Sequence, residues 1–451
     1  MVSNPMRWFL RVFFFIFTAG LSAQVVKVGG REFARSPSES GAKGEWVVYE
    51  KGVPQNEATR RWLTKKVLVE LTPGARASDL RKVAGVSTAT ERGKYAVVEF
   101  SGNADAGLIG VDRLRRVKGV QSAEPMLARQ LYRRSVPNDP LFAHGAGRPG
   151  YQWHLRNTGE NGAKLGMDLN VTNVWDTYRG GGVKIAIVDD GLEVGHADLI
   201  ANVDTALDYD FNGADADPSP GADDFHGTAC AGVAAARGNN GIGVSGVAPE
   251  STLVGLRLVS APTTDDVEAS AFTHEQAAIA IKSNSWGPYD GAFGAGGPGP
   301  LSLAAMESAA TTGRGGKGTV FLWAAGNGNG SGDDSNFDGW ANSPYAIAVS
   351  AMNDKGEQSW YSEPGANILV CAPSSGGKQG ITTTDRSGNV GYNEGESTPE
   401  FPDYAETSYT NTFGGTSSST PAVAGVVALM LEANPNLTYR DVQEILVRSA
   451  V

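Results

Sequence analysis

Three residues have the types and the chain order of an acid, a base and a nucleophile. Asp189 ends the apolar run KIAIV, His226 opens the small-residue stretch HGTACAG, and Ser417 stands in GGTSSSTP just before an apolar run that reaches Ala433. A serine hydroxyl is a weak nucleophile until an imidazole takes its proton. The imidazole in turn needs a carboxylate to hold its tautomer and its developing charge. Singly each residue is ordinary: an aspartate in a turn, one histidine among five, a serine cap on a core helix. Together they describe acyl transfer through a serine ester, and Asp, His, Ser is one of the chain orders in which such triads occur.

Such residues act only if rigid elements hold them. The run behind GGTSSSTP has no polar stripe, which predicts a helix buried on all sides. Its first N–H groups, which have no partner inside the helix, then point at the serines. From about Gln152 the runs GVKIAIVDDG, STLVGLRLV, AIKSNSWG, GTVFLWAAGNG and YAIAVSA read as buried strands ending in polar or glycine turns, and HGTACAGVAAA reads as a small-residue helix. Apolar strands alternating with helices predict a parallel sheet covered on both faces, with chemistry at the carboxyl ends of its strands.

An earlier stretch has a different texture. KVLVEL, ASDLRKVA, KYAVVEF, DAGLIGVDRLRRV and VQSAEPM give a β-α-β-β-α-β-like alternation, a small ferredoxin-like α+β unit at about 66–126. Residues 24–66 carry weak periodicity and little is assigned there. The unit ends at LARQLYRRSVPNDP, where the dibasic pair Arg133-Arg134 precedes a turn-forming linker. At the start, Arg7 and Arg11, a short apolar run and the small-residue end Leu21-Ser22-Ala23 read as a cleaved secretory signal over 1–23. No other segment reads as a bilayer span, so the expected location is secreted, periplasmic or within a secretory pathway, with no stable membrane anchor.

Charge divides sharply. Residues 1–134 hold 23 Lys+Arg and 12 Asp+Glu, net +11, whereas 135–451 hold 15 and 37, net −22. The acidic part favours cationic partners, basic peptides or calcium, and argues against nucleic acid. Two cysteines, Cys230 and Cys371, are too few for a disulfide scaffold and read as free and buried. The run DADADPSPGADD lacks the spacing of an EF-hand and reads as a loop.

The blocks IVDDGLEVGHADL, HGTACAG and GTSSSTP resemble the three active-site blocks of the subtilisin-like serine proteases. The paired acids of DDG, the block SNSWGP and WAAGNGNG are similar to the kexin/furin branch, the proprotein convertases. The resemblance runs from about Pro137 to the end of the chain. It implies a subtilisin-like three-layer α/β catalytic domain over 135–451, with 24–134 as a propeptide that inhibits its own enzyme. It also implies a β-rich domain after the catalytic one. The chain stops at DVQEILVRSAV, inside what should be the last helices of the protease domain, so a piece of a longer protein is expected.

Carried over by resemblance, Ser417 attacks the scissile carbonyl, His226 takes and returns its proton, and Asp189 orients the ring. Asn327 donates its side-chain amide to the oxyanion together with the Ser417 N–H. Asp290 and Asp338 match the acids that read an arginine before the cut, Asp190 and Asp223 those that read the next residue upstream, and Glu268 one further out. A usual companion of Glu268 is replaced by Gly296, so dibasic selection without a strong demand for a distant arginine is expected. Arg133-Arg134 would be the enzyme's own processing site. One calcium site would use Asp139, Asp198 and Asn240 with carbonyls near Arg237, Ile242 and Val244, and a second Asp290, Asp333 and Glu363. Two other readings stay open: a general subtilisin-like protease without dibasic selectivity, and a catalytically inactive member acting as a binding module.

Overall fold

The computed structural model describes residues 25–36, 46–53, 55, 59–129, 136–143, 150–291, 296–396 and 402–450. The expected signal, residues 1–23, and the pair Arg133-Arg134 lie outside the described residues. The chain divides into two compact units, Met1–Arg133 and Arg134–Val451.

The first unit contains β1 (Val25–Val28), β2 (Arg31–Arg35), β3 (Trp46–Glu50), β4 (Arg61–Leu71), α1 (Ala77–Leu80), β5 (Val86–Arg92), β6 (Tyr95–Phe100), α2 (Ala104–Arg115) and β7 (Val120–Ala128). All its pairings are antiparallel. The long β4 pairs with β7 on one edge, and on the other with β3 at its start and β6 further on. The order β7-β4-β6-β5 makes a four-stranded core that α1 and α2 connect, and β1 to β3 lengthen the sheet. Those three strands went unread in the sequence because they are short and weakly alternating; pairing with neighbours, not local pattern, holds them. Val67, Val69, Val98, Phe100, Val111 and Leu114 form the core between sheet and helices. Gly110 lets α2 approach, since a Cβ there would lie 2.2 Å from the Phe100 ring.

The second unit runs β8 (Lys184–Asp189), β9 (Tyr209–Asp210), α3 (His226–Ala235), β10 (Thr252–Arg257), α4 (Asp265–Thr273), β11 (Ile281–Asn284), α5 (Pro300–Gly316), β12 (Val320–Ala324), β13 (Ala346–Met352), β14 (Ile368–Pro373), β15 (Ile381–Thr384), β16 (Tyr409–Phe413), α6 (Thr416–Ala433) and α7 (Tyr439–Ser449). Among the described residues a seven-stranded parallel sheet has the order β14-β13-β12-β11-β8-β10-β9. Its strands are apolar on both faces because both are covered. Ile185 and Ile187 of β8, with Val320 and Leu322 of β12, share a core with α3, α6 and α7. Their alternates Ala186 and Val188 pack below β8 with Ala271 of α4, and Phe321 and Trp323 pack with Met306 and Ala309 of α5. Helix, sheet, helix is the three-layer architecture that the alternation predicts.

Helix α6 is buried nearly all round, and side chains such as Val423, Val427 and Leu431 each contribute about 1.5–3 kcal/mol on leaving water. That burial fixes its N-terminal end in the middle of the unit. Cys371 departs from expectation: it is exposed, because β14 is the edge strand of the sheet, where cover is thin.

Candidate active site

Strand β8 delivers Asp189, 2 % exposed, to the first residue of α3. Asp189 Oδ1 accepts from His226 Nδ1 at 2.8 Å and from the Asp190 N–H at 2.8 Å. A ring whose Nδ1–H is held by a carboxylate presents Nε2 as its free base. Burial opposes charging of the ring, but the Asp189 carboxylate, with Cys230 adding to it, outweighs burial and holds the His226 pKa above its ordinary value.

The helix start that carries His226 is itself fastened. Asp190 accepts from the N–H groups of Phe225, His226 and Gly227 at 3.0, 3.0 and 2.7 Å, satisfying first-turn donors that would otherwise be orphaned. Burial, with the Asp189 charge adding, pushes the Asp190 carboxyl up to about 6. Arg257 braces the turn: its Nε donates to the Asp190 carbonyl at 3.0 Å, while its two Nη groups donate to Asp210 and Asp224 at 2.8 Å each.

The corner that carries Ser417 is built by a glycine and a proline. Gly415, just before α6, has φ +72° and ψ 170°, a conformation nearly confined to glycine. Pro421 lies inside the helix and has no N–H to offer the carbonyl four residues back, which is that of Ser417. The freed carbonyl accepts instead from Ser285 Oγ at 3.0 Å and from Cys230 Sγ at 3.6 Å. The Ser417 hydroxyl donates to the Ser285 carbonyl at 3.3 Å, and no hydrogen bond joins it to His226 among the described residues. Cys230 bridges the two, its Sγ also lying 3.8 Å from His226 Nδ1, and burial pushes its pKa up so that it stays a thiol.

Asn327 follows β12. Its Oδ1 accepts from the Thr416 N–H at 2.8 Å and from Thr416 Oγ1 at 3.1 Å, which fixes the amide so that its NH₂ faces away from Thr416. It lines one pocket with Ser417, and the Ser417 N–H is an early helix donor without an intrahelical partner.

That pocket is strongly acidic. Asp290, Asp333, Asp334, Asp338 and Glu363 line it with Trp286, Gly287, Asn327 and Ser417, and among the described residues no lysine or arginine belongs to the lining. Asp338 is 8 % exposed; its Oδ1 accepts from the N–H groups of Trp340 and Ala341 at 2.8 and 3.2 Å. Its Oδ2 lies 2.8 Å from where a Cβ on residue 287 would stand, so glycine at 287 leaves that oxygen accessible. Burial, then the charges of Asp333 and Asp290, push Asp338 up to about 6. The same causes, with Asp338 added, push Glu363 up to about 7.

The remaining predicted residues fall into two groups. Asp223 is exposed three residues before His226. Glu268 is nearly buried in α4, accepts from Ser302 Oγ at 3.1 Å and is not in the pocket lining. For calcium, Asp139 and Asp198 are 4 % and 0 % exposed and neither is in an ion pair among the described residues. Asn240 donates to Asp198 Oδ1 at 2.6 Å and its N–H to Asp139 Oδ1 at 3.1 Å, while the N–H of Val244 donates to Asp198 Oδ2 and that of Ile242 to Asn240 Oδ1. Burial, with Asp139 adding, pushes Asp198 up to about 6. Asp139 and Asp198 are buried carboxylates with the Asn240 amide beside them and no cationic side chain on them among the described residues, oxygen-rich surroundings of the kind a hard cation takes, whereas the carboxylate oxygens of Asp290, Asp333 and Glu363 share one pocket lining without all lying within 4.8 Å of one another.

Ser285 and Arg257 were not singled out in the sequence. Ser285 sits in the quoted block SNSWGP, and the proline four residues after Ser417 was a legible sign of a freed carbonyl; nothing in the local sequence marks Arg257.

The profile of the subtilase family, Peptidase S8, matches residues 180–451. Neuroendocrine convertase 2 of Homo sapiens is 40% identical over 320 residues, covering 69% of this chain and 46% of the relative. Furin-like protease 2 of Drosophila melanogaster is 40% identical over 316 residues, 68% of this chain and 17% of its own. This chain thus spans less than half the length of these relatives. The structure of the serine protease of Aeromonas sobria superposes with a TM-score of 0.58 at 28% identity, covering 69% of this chain and 62% of that one.

Proposed function

The chain belongs to the subtilase family, and from that premise we propose that it is a serine endopeptidase of convertase type, cleaving proteins and peptides after basic and above all dibasic sites. In the acylation step the Ser417 hydroxyl leaves the Ser285 carbonyl and gives its proton to His226 Nε2 as its oxygen bonds to the scissile carbonyl carbon. Asp189 stabilises the imidazolium. The oxygen that becomes negative is met by the Ser417 N–H and the Asn327 NH₂. His226 then protonates the leaving amine, the C–N bond breaks, and an acyl ester remains on Ser417. Water gives a proton to His226, attacks the ester, and the proton returns to Ser417 as the acid leaves.

The observation that carries the specificity is the pocket beside Ser417, with five carboxylates and no lysine or arginine among the described residues of its lining. A guanidinium entering it replaces mutual repulsion with charge-assisted hydrogen bonds. Asp338 and Asp290 would read the residue before the cut, and Asp190 and Asp223 the one upstream. Calcium held by Asp290, Asp333 and Glu363, and by Asp139, Asp198 and Asn240, would supply positive charge that lets these acids stay ionised side by side. The basic segment 24–134 would act as an intramolecular inhibitor released after Arg134, and the enzyme would work in a secretory pathway.

The test is the ratio of kcat/KM for two peptides that differ only in the residue before the cut, Lys-Arg against Lys-Phe. A strong preference for arginine that collapses in Asp338→Asn is expected, and equal turnover of the two peptides would sink the assignment.

A further inference from the structure

A helical carbonyl that loses its N–H partner to proline is ordinarily left to water or kinks the helix. Here the carbonyl is that of Ser417 itself, in a helix start packed into the protein. Two side chains from two other elements converge on it: Ser285 Oγ at 3.0 Å, from the residue after β11, and Cys230 Sγ at 3.6 Å, from the second turn of α3. Ser285 is 6 % exposed and Cys230 1 %. Ser285 also touches the nucleophile a second time, because its backbone carbonyl accepts the Ser417 hydroxyl at 3.3 Å. One residue therefore grips both ends of Ser417.

We infer that the Ser285 side chain is a positioning residue for the nucleophile: with the Cys230 thiol as the weaker donor, it replaces the helical N–H that Pro421 removes, and so fixes the ψ of Ser417 and the direction of its Cα–Cβ bond. A fixed ψ limits the directions open to the hydroxyl when it turns from the Ser285 carbonyl toward His226, and keeps the Ser417 N–H aimed at the oxyanion. The proline is then part of the device. It keeps the Ser417 carbonyl from being drawn into the regular helix, and the two side chains set where that carbonyl goes instead. This rests on Ser417 being the nucleophile.

The experiment compares Ser285→Ala, Pro421→Ala and the double variant with the parent, reading kcat and KM on one basic peptide, the pH profile, and the rate of labelling by a fluorophosphonate. Ser285→Ala is expected to lower kcat and the labelling rate about tenfold with KM little changed, the worth of one hydrogen bond expressed in the transition state. The pH profile should keep its position, since His226 and Asp189 are untouched. In the double variant, residue 421 regains an N–H that can hold the Ser417 carbonyl, and part of the lost kcat should return. Cys230→Ala, which removes the weaker donor, should show the same split at smaller size and supplies the test if Ser285→Ala does not fold. An unlabelled parent would overturn the nucleophile assignment and the positioning role with it. A labelled parent whose Ser285→Ala variant keeps the parental labelling rate, or whose loss lies in KM, would overturn the positioning role alone.

Discussion

As the proposed base, His226 has to be neutral to accept a proton and charged to return it, and its surroundings set where that exchange falls on the pH scale. The Asp189 carboxylate at 2.8 Å, with Cys230 adding to it, holds the ring's pKa above its ordinary value, so below that pKa the base is already protonated. kcat/KM should therefore rise with pH through the raised pKa. In Asp189→Asn the larger of the influences that raised it is gone: the acid limb should move to lower pH, while the plateau falls on the order of 10⁴-fold because the tautomer is no longer fixed. A limb that stays in place would mean that Asp189 does not set the ring's protonation. Asn327 is separable from this pair. Asn327→Ala should lower kcat by about 10²–10³-fold with KM nearly constant, because in the proposed role its NH₂ serves an oxygen that is negative only in the transition state. At this scale the sequence was informative where chemistry demands a residue type. Asp189, His226 and Ser417 are marked by type and chain order and Asn327 by resemblance alone, whereas Ser285 and Arg257 act through contacts made only when distant segments meet.

The elements explain why those residues are held so firmly. Asp190 closes the start of α3 through three N–H groups, a cap read in the sequence only as a substrate-facing acid. Asp190→Ala should cost about 1–2 kcal/mol of stability in denaturant unfolding. If Asp190 also reads the residue upstream of the cut, the variant should raise KM for dibasic peptides more than for monobasic ones. An equal change for both would leave it a cap. At the start of α6, Gly415→Ala should cost about 1–3 kcal/mol, since φ +72° with ψ 170° is strained for any residue with a Cβ. Elements that are apolar on both faces, such as β8, β12 and α6, were legible as sequence because their pattern is dictated by burial alone. The strands β1 to β3, and the exposure of Cys371 on edge strand β14, were not, because pairing partners and sheet order decide them.

In the molecule as a whole, the surplus of acid becomes a question of what balances it. Asp198 and Glu363 are pushed up to about 6 and about 7, against an ordinary carboxyl near ~4. A carboxyl whose folded pKa is raised gives stability that is present below its ordinary pKa and lost as pH rises through the raised one. Without a cation the unit should therefore weaken between about pH 4 and pH 7. Calcium, binding the ionised form, should restore what is lost. Chelation is expected to lower Tm more at pH 8 than at pH 5; the same drop at both would speak against calcium at these clusters.

The charge division places an expected substrate inside the chain itself: Arg133-Arg134, between a basic segment of net +11 and an acidic one of net −22. Mass spectrometry of the purified parent and its Ser417→Ala variant reads the nucleophile and the specificity in one measurement. The parent should carry a new N-terminus at Ser135 that is absent from Ser417→Ala. A parent left uncut at Arg134, or a variant cut there as fully as the parent, would contradict the account.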